Sequence, residues 1–414
     1  MDVLIKMPSK EPASDDAAAS LHVLALNSGS SSLKFGLYRV SAIRSEALIY
    51  GEAESIGEGT GHITARDSRH AVLLSETGSI PDQQDAIVHI GKLLADVDVP
   101  APIAIGHRLV HGGPQLRQHC LIDDSVLRQL EAASTFAPLH IPSALAVIRF
   151  AQGHFPGLAQ IACFDTAFHA AMPDVARVLP IPRDLQQQGI QRYGFHGLSC
   201  ESIVHQLGDH RPDRLIIAHL GNGASITAVK AGRSIDTSMG LTPTGGVIMG
   251  TRSGDLDPGV LIYLMREHGF DAAMLEQLVD HRSGLLGISG VNSDMRRLHE
   301  AAATHAEARL AIRMFCHSVA KQVAGMIVAL DGVDLIVFTG GIGENDVEAR
   351  SAICRGLSSI GVSLDEARNR SANNPINDAA SRCEVRVMPS QENEQIARHA
   401  WAIVTGSPPF KLMG

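Results

Sequence analysis

Leu21 to Val40 reads LHVLALNSGSSSLKFGLYRV. Leu21 to Leu26 is an apolar run of strand length that stops at Asn27. A small polar turn, Ser28-Gly29-Ser30-Ser31-Ser32, follows. Leu33, Phe35 and Leu37 then share one face of a second strand by the period-2 rule. The pattern predicts a β-hairpin with a Gly/Ser tip. Such a tip offers backbone N–H groups, hydroxyls and Lys34 to an anion, although an ordinary hairpin with a polar turn has the same pattern.

The pattern recurs. Leu215 to Val229 reads LIIAHLGNGASITAV: an apolar strand, the turn Gly221-Asn222-Gly223-Ala224-Ser225, and a second apolar run from Ile226. Two copies of one shape about half a chain apart suggest a duplicated domain gripping one ligand.

The 414 residues suffice for two domains with cores of their own. Hydrophobic content of 45% against 19% charged marks a globular chain. A net charge of −9 argues against nucleic-acid and membrane-surface partners. No apolar run approaches a membrane span. Met1 to Ser20 lacks signal-peptide features and reads as a flexible extension. Six cysteines without a C-x-x-C pair suggest reduced thiols and a cytoplasmic location. The 20 histidines contain no H-E-x-x-H, and glycines around His107 and His111 oppose a helix there, so a transition-metal site is not expected.

Further antiparallel strands are expected across Gly51 to Ile80, then helices over Asp82–Leu94 and Asp124–Ala133. Ile103 to Gly113 is a strand running into a Gly pair, and Pro142 suits the first turn of a helix. Ile161 to Phe164 is a buried strand ending at Asp165, followed by a proline-rich linker, Met172 to Pro182. The expected organisation is an N-terminal domain over 21–167, completed by a C-terminal helix over 393–405. A second domain over 168–392 would bind nucleotide and carry the dimer contact, and 406–414 would be a frayed tail. In the second half, Ala301 to Leu330 reads as helix. Val333 to Phe338 is a strand running into Thr339-Gly340-Gly341-Ile342-Gly343-Glu344-Asn345. Asn345 with Glu348 fits a capping box. Strands followed by alternating helices and strands give an α/β fold.

There is no Walker A or G-x-G-x-x-G sequence, so P-loop and Rossmann folds are excluded. Three small-residue turns after buried strands still suit a phosphate cradle. Arg108 and Arg252 sit beside glycines, where they are either surface ion pairs or forked clamps on a carboxylate or phosphoryl group. His140 and His196 stand in loops. Asp165 ends a buried strand, where a carboxylate is costly unless paired, bound to a cation or capping a turn. Asn27 and Glu392, far apart in sequence, are by themselves ordinary polar residues.

NSGSSSLKFGLY, GHRLVHGG, FAPLH, FDTAFH, RYGFHG, HLGNGAS, DTSMG, MGTRSGDLDP, SDMR and TGGIGEN occur in that order. Together they resemble the acetate kinase family over about Leu21 to Val404. The resemblance implies the duplicated ribonuclease H-like fold of actin, hexokinase and Hsp70 ATPase domains, with an active-site cleft between two domains. It also implies a homodimer that uses ATP/ADP and Mg²⁺, with Mn²⁺ as an alternative. Residue by residue, it assigns Asn27 and Glu392 to the metal. Lys34, His219, Leu220, Gly221, Asn222 and Gly223 are assigned to ATP, as are Asp294, Met295, Arg296, Gly341, Ile342, Gly343, Glu344 and Asn345. Arg108 and Arg252 would hold the carboxylate and the phosphoryl group. His196 would stabilise the transition state beside His140, and Asp165 is the acidic catalytic residue. Val110, Leu139, Phe195 and Pro243 would enclose the acetate methyl.

There are departures. Ser390-Gln391-Glu392-Asn393 stands where the family usually has Thr-Asn-Glu-Glu. Ile141 and Ala144 replace common asparagines, and Arg177 to Arg183 lacks the usual tyrosines. The expected reaction is reversible transfer of the ATP γ-phosphoryl group to acetate. The alternatives are a kinase preferring propionate or butyrate, and a non-catalytic ATP-dependent switch.

Overall fold

The computed structural model describes residues 20–29, 31–137 and 140–407. Residues 1–19 of the expected extension, the tail beyond Ser407, Ser30 of the first turn, and Pro138 and Leu139 lie outside the described residues.

The quoted stretch forms strands β1 (Leu21–Ser28) and β2 (Leu33–Val40). They pair antiparallel with Asn27 opposite Lys34. Leu33, Phe35 and Leu37 are buried as the alternation requires, but so are Gly36 and Tyr38 on the alternate positions. Strands β3 (Ser45–Glu54), β4 (Gly61–Asp67) and β5 (Val72–Gly78) extend the antiparallel meander expected from the Gly-rich segment. β6 (Ala104–Leu109), β7 (Cys120–Leu121) and β8 (Ala159–Phe164) complete a sheet of order β5-β4-β3-β2-β1-β6-β8-β7, with β6 parallel to β1.

The second sheet holds β9 (Arg214–Leu220), β10 (Ala224–Lys230), β11 (Arg233–Thr237), β12 (Leu335–Thr339) and β13 (Glu384–Val387). Its order is β11-β10-β9-β12-β13: an antiparallel meander on one side of β9, then β12 and β13 in parallel. The stretch β3-β2-β1-β6-β8 repeats that order. The two hairpins are therefore equivalent parts of a duplicated α/β fold, the ribonuclease H-like arrangement expected. Parallel pairing keeps the middle of β9, Leu215 to Ala218, and the whole of β12 buried.

Two compact units are present. One contains the chain up to His107, Ile148–Ile161 and the segment from Ile396; the other contains Arg108–Val147 and Ala162–Gln395. The core of the second unit packs the Ala306–Ala329 helix, through Phe315, Val319 and Val323, with Ile216, Ile226 and Phe338 of its sheet.

One local expectation is corrected. Asp346, not Asn345, caps the Val347–Gly356 helix, its carboxylate accepting the Ala349 N–H at 2.9 Å. Asn345 closes the preceding Gly340–Asn345 turn of helix, its side-chain amide donating to Gly341 O at 2.9 Å. Both residue types cap helices well, and the extra helical turn after β12 shifts the cap by one position. The proline-rich linker also contains a short helix, Asp174–Arg177. No helix among the described residues is long and apolar enough to cross a membrane.

Candidate active site

Asp165 follows β8 directly, its N–H bonded to Leu109 O at 2.9 Å and its carbonyl accepting the Gly197 N–H at 2.9 Å. Sheet and helix start thus fix the backbone of a carboxylate that is only 1% exposed. Arg108, near the end of β6, grips a single oxygen: Nε and Nη2 reach Asp165 Oδ2 at 3.0 and 2.6 Å. The other oxygen, Oδ1, has no hydrogen-bond donor among the described residues. Burial pushes the Asp165 carboxyl up to about 6, against the pull of Arg108; the Glu392 and Glu201 carboxylates push it further the same way. For Arg108, burial favours loss of the proton, but Asp165 and Glu392 outweigh it and raise the guanidinium above its ordinary value.

His196 precedes the Gly197–Leu207 helix with φ 57°, an unusual left-handed conformation for a non-glycine residue. Its Nδ1 lies 3.0 Å from Ser225 Oγ, and its ring stacks on His219 at 4.2 Å and 23°. Burial holds His196 well below the usual imidazole range, and positive charge at His219, Arg108 and Arg252 works the same way. It is therefore a neutral ring at physiological pH. Arg252 is lowered by burial, with Asp280 opposing and Arg108 adding to the effect; its Nη1 donates to Pro243 O at 3.3 Å. A methyl group on Gly223 would stand 3.2 Å from His196 Nε2 and 3.4 Å from Arg252 Nη1. Only a glycine leaves that point open, with an imidazole and a guanidinium facing it.

The turn after β9 is closed by the Gly221 N–H on Gly223 O at 3.0 Å, and the Gly250 N–H holds Asn222 O at 3.1 Å. The turn after β12 lies alongside. A methyl on Gly340, where φ is 78°, would be 2.8 Å from Leu220 O. One on Gly221 would be 3.9 Å from Gly341 N. Glu344 Oε1 accepts the N–H groups of Gly340 and Ser390 at 2.9 and 3.0 Å, tying this turn to the loop that leads from β13 to Glu392. Asp294 caps the Met295–Ala301 helix through the Arg296 N–H at 2.8 Å and pairs with the exposed Arg296 guanidinium. Ile342 packs on the core.

The second unit therefore brings together Arg108, Asp165, His196, Arg252, His219 and the two glycine turns. Phe195 is buried and Val110 packs on the same core. His140 opens the Ile141–His154 helix, its carbonyl accepting the Ser143 hydroxyl at 2.9 Å. Leu139 of the expected methyl pocket is outside the described residues. Glu392 begins the Glu392–Thr405 helix and lies in the part of it that belongs to the second unit. Asn27 and Lys34 belong to the first unit, where Lys34 pairs with Glu52 at 3.9 Å.

Sequence inspection missed Ser199, Ser225, Glu201 and Arg350. Ser225, expected at the end of the turn, is instead the second residue of β10, opposite His219 in the β9–β10 register. Arg350 is 1% exposed and donates to the carbonyls of Gly343 and Glu344 at 2.9 Å each, which braces the turn after β12. A helical arginine in sequence gives no hint of that.

The sequence profile of the acetokinase family matches residues 22–398. The chain belongs to the acetokinase family. An acetate kinase of Methylocella silvestris is 41% identical over 92% of this chain and 98% of its own. One from Campylobacter jejuni is 37% identical over 91% of this chain and 98% of its own. Among solved structures, a Porphyromonas gingivalis acetate kinase superimposes with TM-score 0.82 at 35% identity, over 93% of this chain and 100% of that one. A Francisella tularensis propionate kinase gives TM-score 0.83 at 37% identity, over 92% and 98%. Membership in the acetokinase family makes this chain an ATP-using kinase.

Proposed function

We propose that this member of the acetokinase family catalyses reversible transfer of the ATP γ-phosphoryl group to acetate, giving acetyl phosphate and ADP. The observation that carries the proposal is the open point at Gly223, faced by Arg252 Nη1 and His196 Nε2. Phosphoryl transfer requires positioning and charge neutralisation more than covalent help. The acceptor carboxylate is already ionised and nucleophilic, so no general base is required. What remains is repulsion between two anions, which two guanidinium groups and a neutral imidazole offset without adding a titrating base. Asp165, with Arg108 gripping one of its oxygens, orients that guanidinium toward the acceptor carboxylate and is not a proton acceptor. Val110, Phe195 and Pro243, with Leu139, are assigned to the acyl group, and the two glycine turns with Asp294 to Arg296 and Lys34 to ATP.

The cation belongs to the same proposal. The expected ligands Asn27 and Glu392 offer only oxygen, which suits Mg²⁺ or Mn²⁺. The Glu392 carboxylate is close enough to raise both Asp165 and Arg108. Bound there, the cation would neutralise phosphate charge. A cytoplasmic location and a homodimer complete the proposal. The first is supported by six cysteines that form no disulfide among the described residues.

Trapping acyl phosphate with hydroxylamine, using ATP, Mg²⁺ and acids from formate to butyrate, tests the activity. A signal strongest with acetate is expected. A maximum at propionate or butyrate would keep the chemistry and overturn the acetate pocket, an alternative given weight by the propionate kinase among the structural relatives. A pocket methylene discriminates by only about 1–3 kcal/mol, so some propionate turnover is expected in either case. Failure with every acid would overturn the proposal.

A further inference from the structure

The two stacked histidines each have a serine hydroxyl at Nδ1, and one of these hydroxyls begins a longer chain. Ser199 Oγ lies 2.8 Å from His219 Nδ1, and Ser390 Oγ donates to Ser199 Oγ at 3.0 Å. Ser199 is fully buried in the first turn of the Gly197–Leu207 helix. Its neighbour Ser202 donates to Ser199 O at 2.7 Å and accepts the Gln391 N–H at 3.2 Å, so the Ser390–Gln391 segment is fastened to this helix twice. The Ser390 N–H is held in turn by Glu344 Oε1.

A hydroxyl has one proton to give. Ser199 Oγ accepts the proton of Ser390, and His219 Nδ1 is the one other atom bonded to it among the described residues, so the Ser199 proton has its acceptor there. An Nδ1 that accepts leaves the proton of a neutral imidazole on Nε2. That nitrogen faces the glycine turns: a methyl on Gly221 would lie 4.0 Å from His219 Nε2 and 3.9 Å from Gly341 N. We propose that Ser199 and Ser390 are positioning residues that fix His219 in its Nε2–H tautomer, so that it presents an N–H donor to the phosphates of a nucleotide lying along the Gly221–Gly223 and Gly341–Gly343 turns. This rests on the assignment of those turns to ATP. The stacking gives the tautomer a second consequence. His219 held in one orientation supports the His196 ring 4.2 Å away, whose Nε2 faces the transfer point.

The test uses the full chain labelled with ¹⁵N-histidine. The imidazole nitrogen shifts of His219, assigned by their loss in His219→Gln, report the tautomer directly. A single Nε2–H form is expected in the native protein and a tautomeric mixture in Ser199→Ala. Ser390→Ala, at a half-buried site that tolerates truncation, gives a partial mixture, and Ser390→Thr, which keeps the hydroxyl, restores the native signal. In steady state, Ser199→Ala raises the ATP KM about three- to tenfold, the effect of one hydrogen bond, and leaves the acetate KM unchanged. A native Nδ1–H tautomer, or a His219 signal indifferent to both alanine variants, overturns the proposal. If the serine variants shift the tautomer but Mg-ATP leaves the His219 Nε2 signal unmoved, the hydroxyl chain stands and the assignment of the turns to ATP falls.

Discussion

Asp165 is subject to two opposed forces, burial that favours its neutral form and Arg108 that favours its charge. Ionised, it holds the guanidinium through Nε and Nη2; protonated, it loses the charge that makes both bonds strong. The kcat/KM for acetate is therefore expected to fall as pH drops through about 6. Stability has the opposite sign. The folded pKa lies above the ordinary aspartate value of 3.8, so the contribution of Asp165 to stability is complete below that value and is lost as pH rises through about 6. Arg108→Ala removes the guanidinium through which Asp165 acts, so the acid limb should be lost while the acetate KM rises. A pH profile of the variant with its limb in the wild-type place would assign the limb to another group. Arg252 contributes differently, having no carboxylate partner as close as Asp165 is to Arg108 and facing the transfer point. Arg252→Ala is expected to lower kcat by about 10³ or more with a smaller change in acetate KM. Steady-state kinetics with unchanged kcat would remove Arg252 from the transfer step.

The two glycine turns divide the labour of fold and function between neighbouring residues. Gly340 has φ 78°, and a methyl there would press on Leu220 O at 2.8 Å, a backbone atom that cannot swing aside. Gly340→Ala should cost about 1–3 kcal/mol in denaturant unfolding, from left-handed strain alone. At Gly341 a methyl would meet nothing within 4 Å. Gly341→Ala should leave the unfolding midpoint in place and raise the ATP KM, because the added methyl occupies space kept for phosphate. Equal loss of stability in both variants would mean that Gly341 is a folding residue. These elements were legible in the sequence for a physical reason. A strand buried on both faces must be apolar, and a turn closing tightly against its neighbour must be small, so LIIAHLGNG and LIVFTGGIG declare themselves. The helix cap at Asp346 was less legible because Asn345 beside it is an equally good cap, and the extra turn after β12 decides between them. Least legible were the partners of the site residues. Arg108 and Asp165 are 57 positions apart, and Ser199 and Ser390 are 191 apart. No local period carries such a pairing. The residues alone left Arg108 and Asp165 with open alternatives that the family resemblance narrowed, and they gave Ser199 and Ser390 no role.

At the scale of the whole molecule, the Pro258–His268 helix poses a problem of stability. Its ends are well made: the Asp257 side chain accepts the Gly259 N–H, proline opens the first turn, and Gly269 closes the last with φ 68°. Yet none of its residues is buried, and Val260, Ile262, Tyr263 and Met265 are 42 to 57% exposed. An eleven-residue helix is marginal in water without packing, and four large apolar side chains this exposed on one helix suit an interaction site. A second copy of this chain is the occupant that the expected homodimer supplies. Sedimentation equilibrium of the wild-type chain should then give twice the chain mass at micromolar concentration, and the double substitution Ile262→Asp, Tyr263→Glu should give the monomer. On an exposed helix those two changes would otherwise alter stability by only about 0.5 kcal/mol. A dimer also makes stability depend on concentration: the wild-type melting temperature should rise with protein concentration, and that of the double variant should not. A wild-type monomer with a concentration-independent melting temperature would refute the dimer. The helix would then rest on its caps and on the partial burial of Leu261 and Leu264.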